Sequence, residues 1–257
     1  MVIYTVANQK GGVAKSTTAA ALVAGFNAKG LKSLAIDTDP QGNLSYIMGA
    51  STTGKSVLGL LTKEATAKEA VQHTAQGDVI PSSRLLAAID GIIADTGKEY
   101  RLKEALEELA GDYDCVVIDT PPALGILTVN ALTAANVLII PAQADTLSLQ
   151  GIEQLATSIA PVKKYCNPAL KVAGILLTRY NPRSVLTKEV TKAAANLAEA
   201  MGTKVFNTTI REGIAVKEAQ LMKQGLFEYA PKANVTMDYA AFIDELLKDQ
   251  GGEDNGS

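Results

Sequence analysis

Cysteine and histidine are nearly absent from this 257-residue sequence, which has two cysteines, Cys115 and Cys166, and one histidine, His73. There is no Cys-x-x-Cys pair, which argues against a structural zinc site or a disulfide framework and favours a reducing compartment. A lone histidine in a polar stretch is expected at the surface rather than in catalysis. No segment approaches the roughly 18 unbroken apolar residues of a membrane-crossing helix. The first apolar run, Val2–Ala7, is too short and lacks the basic lead of a signal peptide. A soluble, cytoplasmic protein is expected. Strong charge of either sign is also missing: 24 Lys and Arg stand against 27 Asp and Glu, a net charge of −3. Dedicated nucleic-acid modules are usually basic overall, although a local basic face stays possible. No internal repeat and no Pro- or Ser-rich linker divides the chain.

What is present is a large apolar fraction, 47%, enough to bury a real core. Short apolar runs at Val2–Ala7, Ser33–Ile36, Cys115–Ile118, Val137–Ile140 and Val172–Leu177 read as strands buried on both faces. Between them lie stretches with helical spacing: Thr17–Lys29, Arg101–Ala110, Leu149–Ala160, Lys188–Met201 and Met237–Lys248. This alternation predicts an α/β fold, P-loop NTPase-like, with a mostly parallel twisted sheet and helices on both faces. The region Ser51–Gly97 is the least regular. One domain is expected over residues 1–248, followed by a disordered acidic tail, 249–257.

The first strand runs into Asn8-Gln9-Lys10-Gly11-Gly12-Val13-Ala14-Lys15-Ser16-Thr17 and then a helix, the strand–loop–helix setting of a phosphate loop. Gly11 and Gly12 let the backbone approach an anion, and successive N–H groups at the helix start face it. Lys15 would reach the β- and γ-phosphates, Ser16 would place its hydroxyl on Mg2+, and Thr17 could bond the α-phosphate. The match to G-x-x-x-x-G-K-[ST] is incomplete, because Gln9 and Ala14 stand where glycines would be. Two further strands end in carboxylates, at Asp37-Thr38-Asp39-Pro40-Gln41-Gly42-Asn43 and at Asp119-Thr120-Pro121-Pro122. Ligands collect at the carboxyl ends of parallel strands, so these segments together describe an Mg-nucleotide site.

Taken together, these motifs resemble the ParA/MinD group of deviant Walker-A P-loop ATPases, and most closely its small ParA-type DNA partition members. The carriers are Lys10-Gly11-Gly12-Val13-x-Lys15-Ser16-Thr17, the Asp37–Asn43 segment, the Asp119–Pro122 segment, and the later Gly174–Thr178 and Thr209–Glu212. The resemblance implies ATP and Mg2+ as cofactors and a homodimer that forms on ATP binding, with Lys10 reaching the partner's phosphates. It implies that Asp39 orients the attacking water and that Asp37 and Asp119 stand near the Mg2+. Val13 and Ala14 would complete the nucleotide cradle, and Arg211 could lie near the adenine. Ala14 departs from the family's glycine. Its N–H serves the cradle if φ there is helical, and its methyl needs room beside the β-phosphate, so binding is expected to persist but weaken.

A ParA-type member binds double-stranded DNA without sequence preference when loaded with ATP. A ParB-type centromere-binding protein stimulates its slow hydrolysis, and it associates with the nucleoid to segregate plasmid or chromosomal DNA. Candidate phosphate contacts are Arg179, Arg183, Lys217, Lys223 and Lys232, with Arg211 either among them or near the adenine, and a two-fold dimer would double them. Without an N-terminal helix-turn-helix, operator binding is not expected. A MinD-like positioning ATPase would end in a basic amphipathic helix, whereas Met237–Lys248 carries Asp238, Asp244 and Glu245, so no membrane partner is expected. An iron–sulfur relative needs cysteines at a shared face, which neither Cys115 nor Cys166 suits. A nucleotide-gated DNA-binding protein with negligible turnover is the non-enzyme alternative. Arg84, beside Pro81-Ser82-Ser83, is left without a role.

Overall fold

The computed structural model describes residues 1–251. Its described strands form one seven-stranded sheet in the order β3-β4-β2-β5-β1-β6-β7. These are β1 (Val2–Val6), β2 (Ser33–Asp37), β3 (Gln72–Thr74), β4 (Gly77–Ile80), β5 (Cys115–Asp119), β6 (Val137–Gln143) and β7 (Lys171–Thr178). Every pairing is parallel except β3 with β4. The P-loop NTPase-like α/β architecture is therefore as expected. Register explains why three chemical motifs meet: Val6 and Asp37 both pair with Asp119, so β1, β2 and β5 end side by side.

The long helices are α1 (Lys15–Ala28), α6 (Arg101–Glu107), α7 (Ile126–Ala134), α8 (Thr146–Tyr165), α9 (Val185–Ala200), α10 (Ile214–Met222) and α12 (Asn234–Gly251). Short ones fill the gaps: α2 (Asn43–Ile47), α3 (Val57–Thr62), α4 (Ala67–Ala70), α5 (Ile89–Ile92) and α11 (Leu226–Tyr229). Alternation along the strands splits the core between the two faces of the sheet. Tyr4, Val6, Ala35 and Val117 point to α1 and α12. Ile3, Leu34, Ile36, Val116 and Ile118 point to α3, α6 and α7. A third cluster joins β6 and β7 to α8 and α9. Helix α12 presses on α1 at Gly25, where a Cβ would run into the Ile243 side chain.

Two boundaries moved because of proline. β6 continues past Ile140 through Pro141 to Gln143. The Pro141 carbonyl accepts from Asn8 Nδ2 at 2.8 Å. Its missing N–H falls on the same side, beyond the last β1 pairing at Ile139, and so costs no ladder bond. Helix α8 begins earlier than expected, at Thr146, and crosses Pro161 to reach Tyr165. Ile152, Leu155, Ile159 and Val162 are all buried on one side of it, and that continuous stripe outweighs the lost hydrogen bond. The irregular region holds β3 and β4, whose few apolar residues gave little periodic signal. The last helix extends through Gly251 rather than stopping at Lys248: Tyr4 Oη donates to Gln250 Oε1 at 2.7 Å, and Lys204 pairs with Asp249 at 2.7 Å. The rest of the expected tail, 252–257, lies outside the described residues.

Candidate functional site

The loop after β1 is fastened from below by Asn8, whose side chain is buried. Its Nδ2 holds Pro141, and its Oδ1 accepts the Lys10 amide at 2.9 Å. Helix α8 comes so close here that a Cβ on Gly151 would sit 2.5 Å from Asn8 Oδ1 and 3.2 Å from Lys10 N. Only glycine at position 151 lets the helix and the loop meet. On the open side, a Cβ on Gly11 or Gly12 would meet no protein atom within 4 Å, and Gly12 has φ +78°. At Gly11 protein packing does not demand a glycine, and the small residues keep backbone amides open to a ligand. The N–H groups of Lys15, Ser16 and Thr17 begin α1 and have no carbonyl of a preceding turn to donate to.

Ala14 corrects an expectation. Its backbone is left-handed, φ 67° and ψ 29°, not right-handed helical. The turn into α1 requires that conformation, which glycine takes freely and alanine takes at a cost of about 1–2 kcal/mol. Ala14→Gly relieves this strain but adds unfolded-chain entropy worth about 0.5–1 kcal/mol. The expected result is a Tm about 2–3 °C higher by thermal denaturation, with ATP bound no more weakly. A lower Tm in the glycine variant would contradict this account of the loop.

Lys15 is buried, and its Nζ donates to the Lys10 carbonyl at 3.1 Å. Burial lowers its pKa, while the nearby charges of Asp119 and Asp39 pull it back up. Asp119 is fully buried, and neither carboxylate oxygen has a hydrogen bond of ordinary geometry. Burial and the charge of Asp37 push its pKa well above the usual carboxylate range, against the opposing pull of Ser16 and Lys15. Asp37 differs. Its Oδ1 accepts Asp39 N at 3.1 Å, and its Oδ2 accepts both Ser45 N and Ser45 Oγ at 2.7 Å. Burial raises the Asp37 carboxyl to about 6 despite these bonds. Both oxygens of Asp37 thus help shape the Asp39 loop, and its charge stands close enough to Asp119 to raise that carboxyl. The orphaned Asp119 and the neighbouring Ser16 hydroxyl suit a divalent cation. Among the described residues no three His, Cys, Asp or Glu side chains gather to hold a metal alone.

Above these groups lies a cavity of about 560 Å3. Gly11, Gly12, Ala14, Lys15, Ser16 and Thr17 form its floor, with Asp39 on one side. Val13 is buried beneath, its carbonyl accepting Thr178 Oγ1 at 3.2 Å. The far wall comes from the segment before α10 and from α10 and α12, including Ile210, Arg211, Val216, Gln220 and Tyr239. Gln220 Nε2 donates to Thr17 Oγ1 at 3.0 Å. Arg211 lines this end, with Nε and Nη2 on Asp238 at 2.9 and 2.6 Å. Glu245 accepts the Asn207 and Thr208 amides at 2.8 Å each. Acidic residues of α12 thus clamp the cavity wall.

Lys10 is not among the residues lining the cavity. Its Nζ lies 2.5 Å from Asp145 Oδ2 and 3.3 Å from Ser148 Oγ. Asp145 caps α8 by accepting Ser148 N at 2.8 Å. Burial alone would raise the Asp145 carboxyl, but Lys10 and Ser148 outweigh it and hold it below the usual range. With the Gln143 amide oriented to satisfy its neighbours, its nitrogen donates to Asp145 at 3.2 Å and its oxygen accepts Arg179 Nη1 at 2.8 Å. Arg179 is thus tied to this network and stands on the cavity wall, as does Lys217. Arg183, Lys223 and Lys232 are exposed, with Lys223 Nζ 5.1 Å from the Tyr46 ring centre.

Sequence reasoning missed Asn8, Ser45, Ser82, Asp145, Ser148, Gly151 and Gln220. Asp145-x-x-Ser148 has the form of a helix N-terminus, a signal that was available. His73 is exposed, as expected, and pairs with Asp78 at 2.6 Å.

A family profile described as an AAA domain matches residues 1–172. The chromosome partitioning protein ParA of Caulobacter vibrioides is 35% identical over 252 residues, covering 95% of this chain and 93% of that protein. The sporulation initiation inhibitor protein Soj of Bacillus subtilis is 34% identical over 246 residues, covering 93% and 96%. A crystal structure of a Mycobacterium smegmatis protein named cobyrinic acid a,c-diamide synthase, with a bound ATP analogue and magnesium, is 33% identical. It superposes with a TM-score of 0.84, covering 98% of this chain and 96% of that one.

Proposed function

The chain belongs to the ParA/Soj group of partition ATPases within the AAA-domain family, and from that premise we propose that it pairs on ATP, binds DNA non-specifically as the pair, and hydrolyses ATP slowly. The observation that carries the reading is Lys10: a phosphate-loop lysine whose ammonium rests on Asp145 and does not line its own cavity. A cation so placed serves no phosphate of its own chain and, on leaving Asp145, can reach a second chain's phosphates, and a charge delivered in trans ties pairing to the γ-phosphate.

Within each chain the loop amides and Lys15 bind the phosphates, and Thr17, oriented by Gln220, bonds the α-phosphate. Ser16, and Asp119 through water, would hold Mg2+, which when bound would neutralise charge on the phosphate oxygens. Asp39 orients the attacking water. The base lies toward the wall that Asp238 and Glu245 clamp. Hydrolysis separates the pair, and a ParB-type centromere-binding protein accelerates it, so that plasmid or chromosomal DNA is moved over the nucleoid in the cytoplasm. Arg179, Arg183, Lys217, Lys223 and Lys232 are the proposed DNA contacts, each doubled by two-fold symmetry.

A MinD-like membrane cycle finds less support. The apolar face of α12, with Val235, Tyr239, Phe242, Ile243 and Leu246, is already buried in the chain's own core.

The test compares retention of unrelated duplex DNA with ATP, with ADP and without nucleotide, across a salt series. Binding is expected only with ATP and should fall steeply with salt, as phosphate neutralisation requires. Equal binding in all three states, or none in any, would contradict the proposal. Turnover at background with or without DNA and partner would favour the nucleotide-gated binder instead.

A further inference from the structure

We infer that Ser82, at the end of β4, is a positioning residue for the hydrolytic step, aiming Asp39 through the backbone. This rests on the reading of Asp39 as the carboxylate that orients water.

Ser82 is fully buried and touches the Asp39 loop at two points. Its Oγ donates to the Asp39 carbonyl at 2.5 Å, and its amide donates to Ser45 Oγ at 2.9 Å. Ser45 Oγ in turn donates to Asp37 Oδ2 at 2.7 Å. The other side of Asp39 is held by the same carboxylate, since Asp39 N donates to Asp37 Oδ1 at 3.1 Å. Both peptide groups of Asp39 are therefore fixed, the amide by Asp37 and the carbonyl by Ser82 together with the Gly42 amide at 2.9 Å. That sets φ and ψ at a residue whose side chain must be aimed. The side chain spends Oδ1 on the Gln41 amide at 3.0 Å. Among the described residues its Oδ2 accepts no hydrogen bond, while Asp39 lines the cavity.

The link fastens the Asp39 loop to the segment that follows β4. The preceding Pro81 carbonyl accepts Val57 N at 3.0 Å, which roots the segment in α3. β4 itself pairs with β2, the strand that ends in Asp37. Ser82 thus ties the Asp39 loop to the segment after β4 and, through Pro81, to α3. Reaction rates fall steeply with sub-ångström errors in such placement.

Steady-state ATPase kinetics on the full chain test this with the native protein, Ser82→Ala, Ser82→Thr and Asp39→Ala, alongside nucleotide affinity and Tm. Ser82→Ala should lower kcat roughly tenfold to a hundredfold with KM for ATP within about twofold, since Ser82 touches no substrate. Ser82→Thr, which keeps the hydroxyl, should recover most of that loss. Unchanged kcat in Ser82→Ala, while the native chain turns over and Asp39→Ala does not, overturns the inference and leaves the role of Asp39 intact. Loss of nucleotide affinity or Tm in step with kcat, unrescued by threonine, also overturns it, because Ser82 would then serve only folding. Absence of turnover in the native chain, with DNA and partner present, defeats the underlying reading of Asp39.

Discussion

Replacing Lys10 by alanine is expected to lower ATP turnover by about a thousandfold or more while leaving nucleotide affinity of the single chain within a few-fold of native, the pattern of a charge supplied in trans. The expectation follows from where the two loop lysines lie. Lys15 is buried in the cavity floor between Asp39 and Asp119, so its loss would remove binding itself. Lys10 is five residues away but outside the cavity, held by Asp145 and Ser148. Its charge therefore contributes little to ATP held by its own chain. If it instead meets the partner's γ-phosphate, its stabilisation arises on pairing and grows as charge develops in the transition state. A thousandfold corresponds to about 4 kcal/mol, reasonable for one cation in a closed, water-poor interface. Single-turnover rates and ATP titrations of Lys10→Ala separate the possibilities. Weakened ATP binding at concentrations where the native chain is single would mean that Lys10 acts in cis.

Asp39→Ala should retain ATP binding and pairing and lose turnover by roughly a hundredfold to ten-thousandfold, the range for removing a positioned proton-handling group. The loop around it is held by several bonds that do not need the Asp39 side chain. Asp37 holds the Asp39 amide and Ser45, Ser82 holds the Asp39 carbonyl, and Gly42 N bonds the same carbonyl at 2.9 Å. Only the Gln41 amide loses its acceptor. The variant should therefore accumulate as an ATP-bound pair, visible as a persistent doubled mass where the native species decays. A variant that binds ATP yet stays single would reassign Asp39 to the pairing step.

The parts of the site that bind phosphate were legible in the sequence because that chemistry is local. A strand, a short loop of small residues and a helix start must be contiguous, and Gly11 to Thr17 are. Asp37 and Asp119 were legible as strand ends, but their division of labour was not. Which carboxylate is spent on Ser45 and which is left orphaned depends on the register of β2 against β5 and on side-chain geometry. The latch on Lys10 joins residues 135 positions apart, and no local pattern encodes such a distance. The same holds for Ser82 with Asp39, and for Arg211 with Asp238. Ala14 was flagged from its pattern alone, yet the reason a glycine belongs there, a left-handed turn, needed the backbone. The proline errors share one cause: a missing N–H costs nothing where no acceptor waits for it, as at Pro141, and little where a buried stripe continues, as at Pro161.

The central claim is that ATP joins two of these chains, and the direct measurement is molar mass in solution by light scattering with Mg-ATP and with Mg-ADP. The account predicts twice the 26.9 kDa chain mass with ATP and the single-chain mass with ADP. The same mass in both nucleotides, at concentrations that saturate the site, would contradict it.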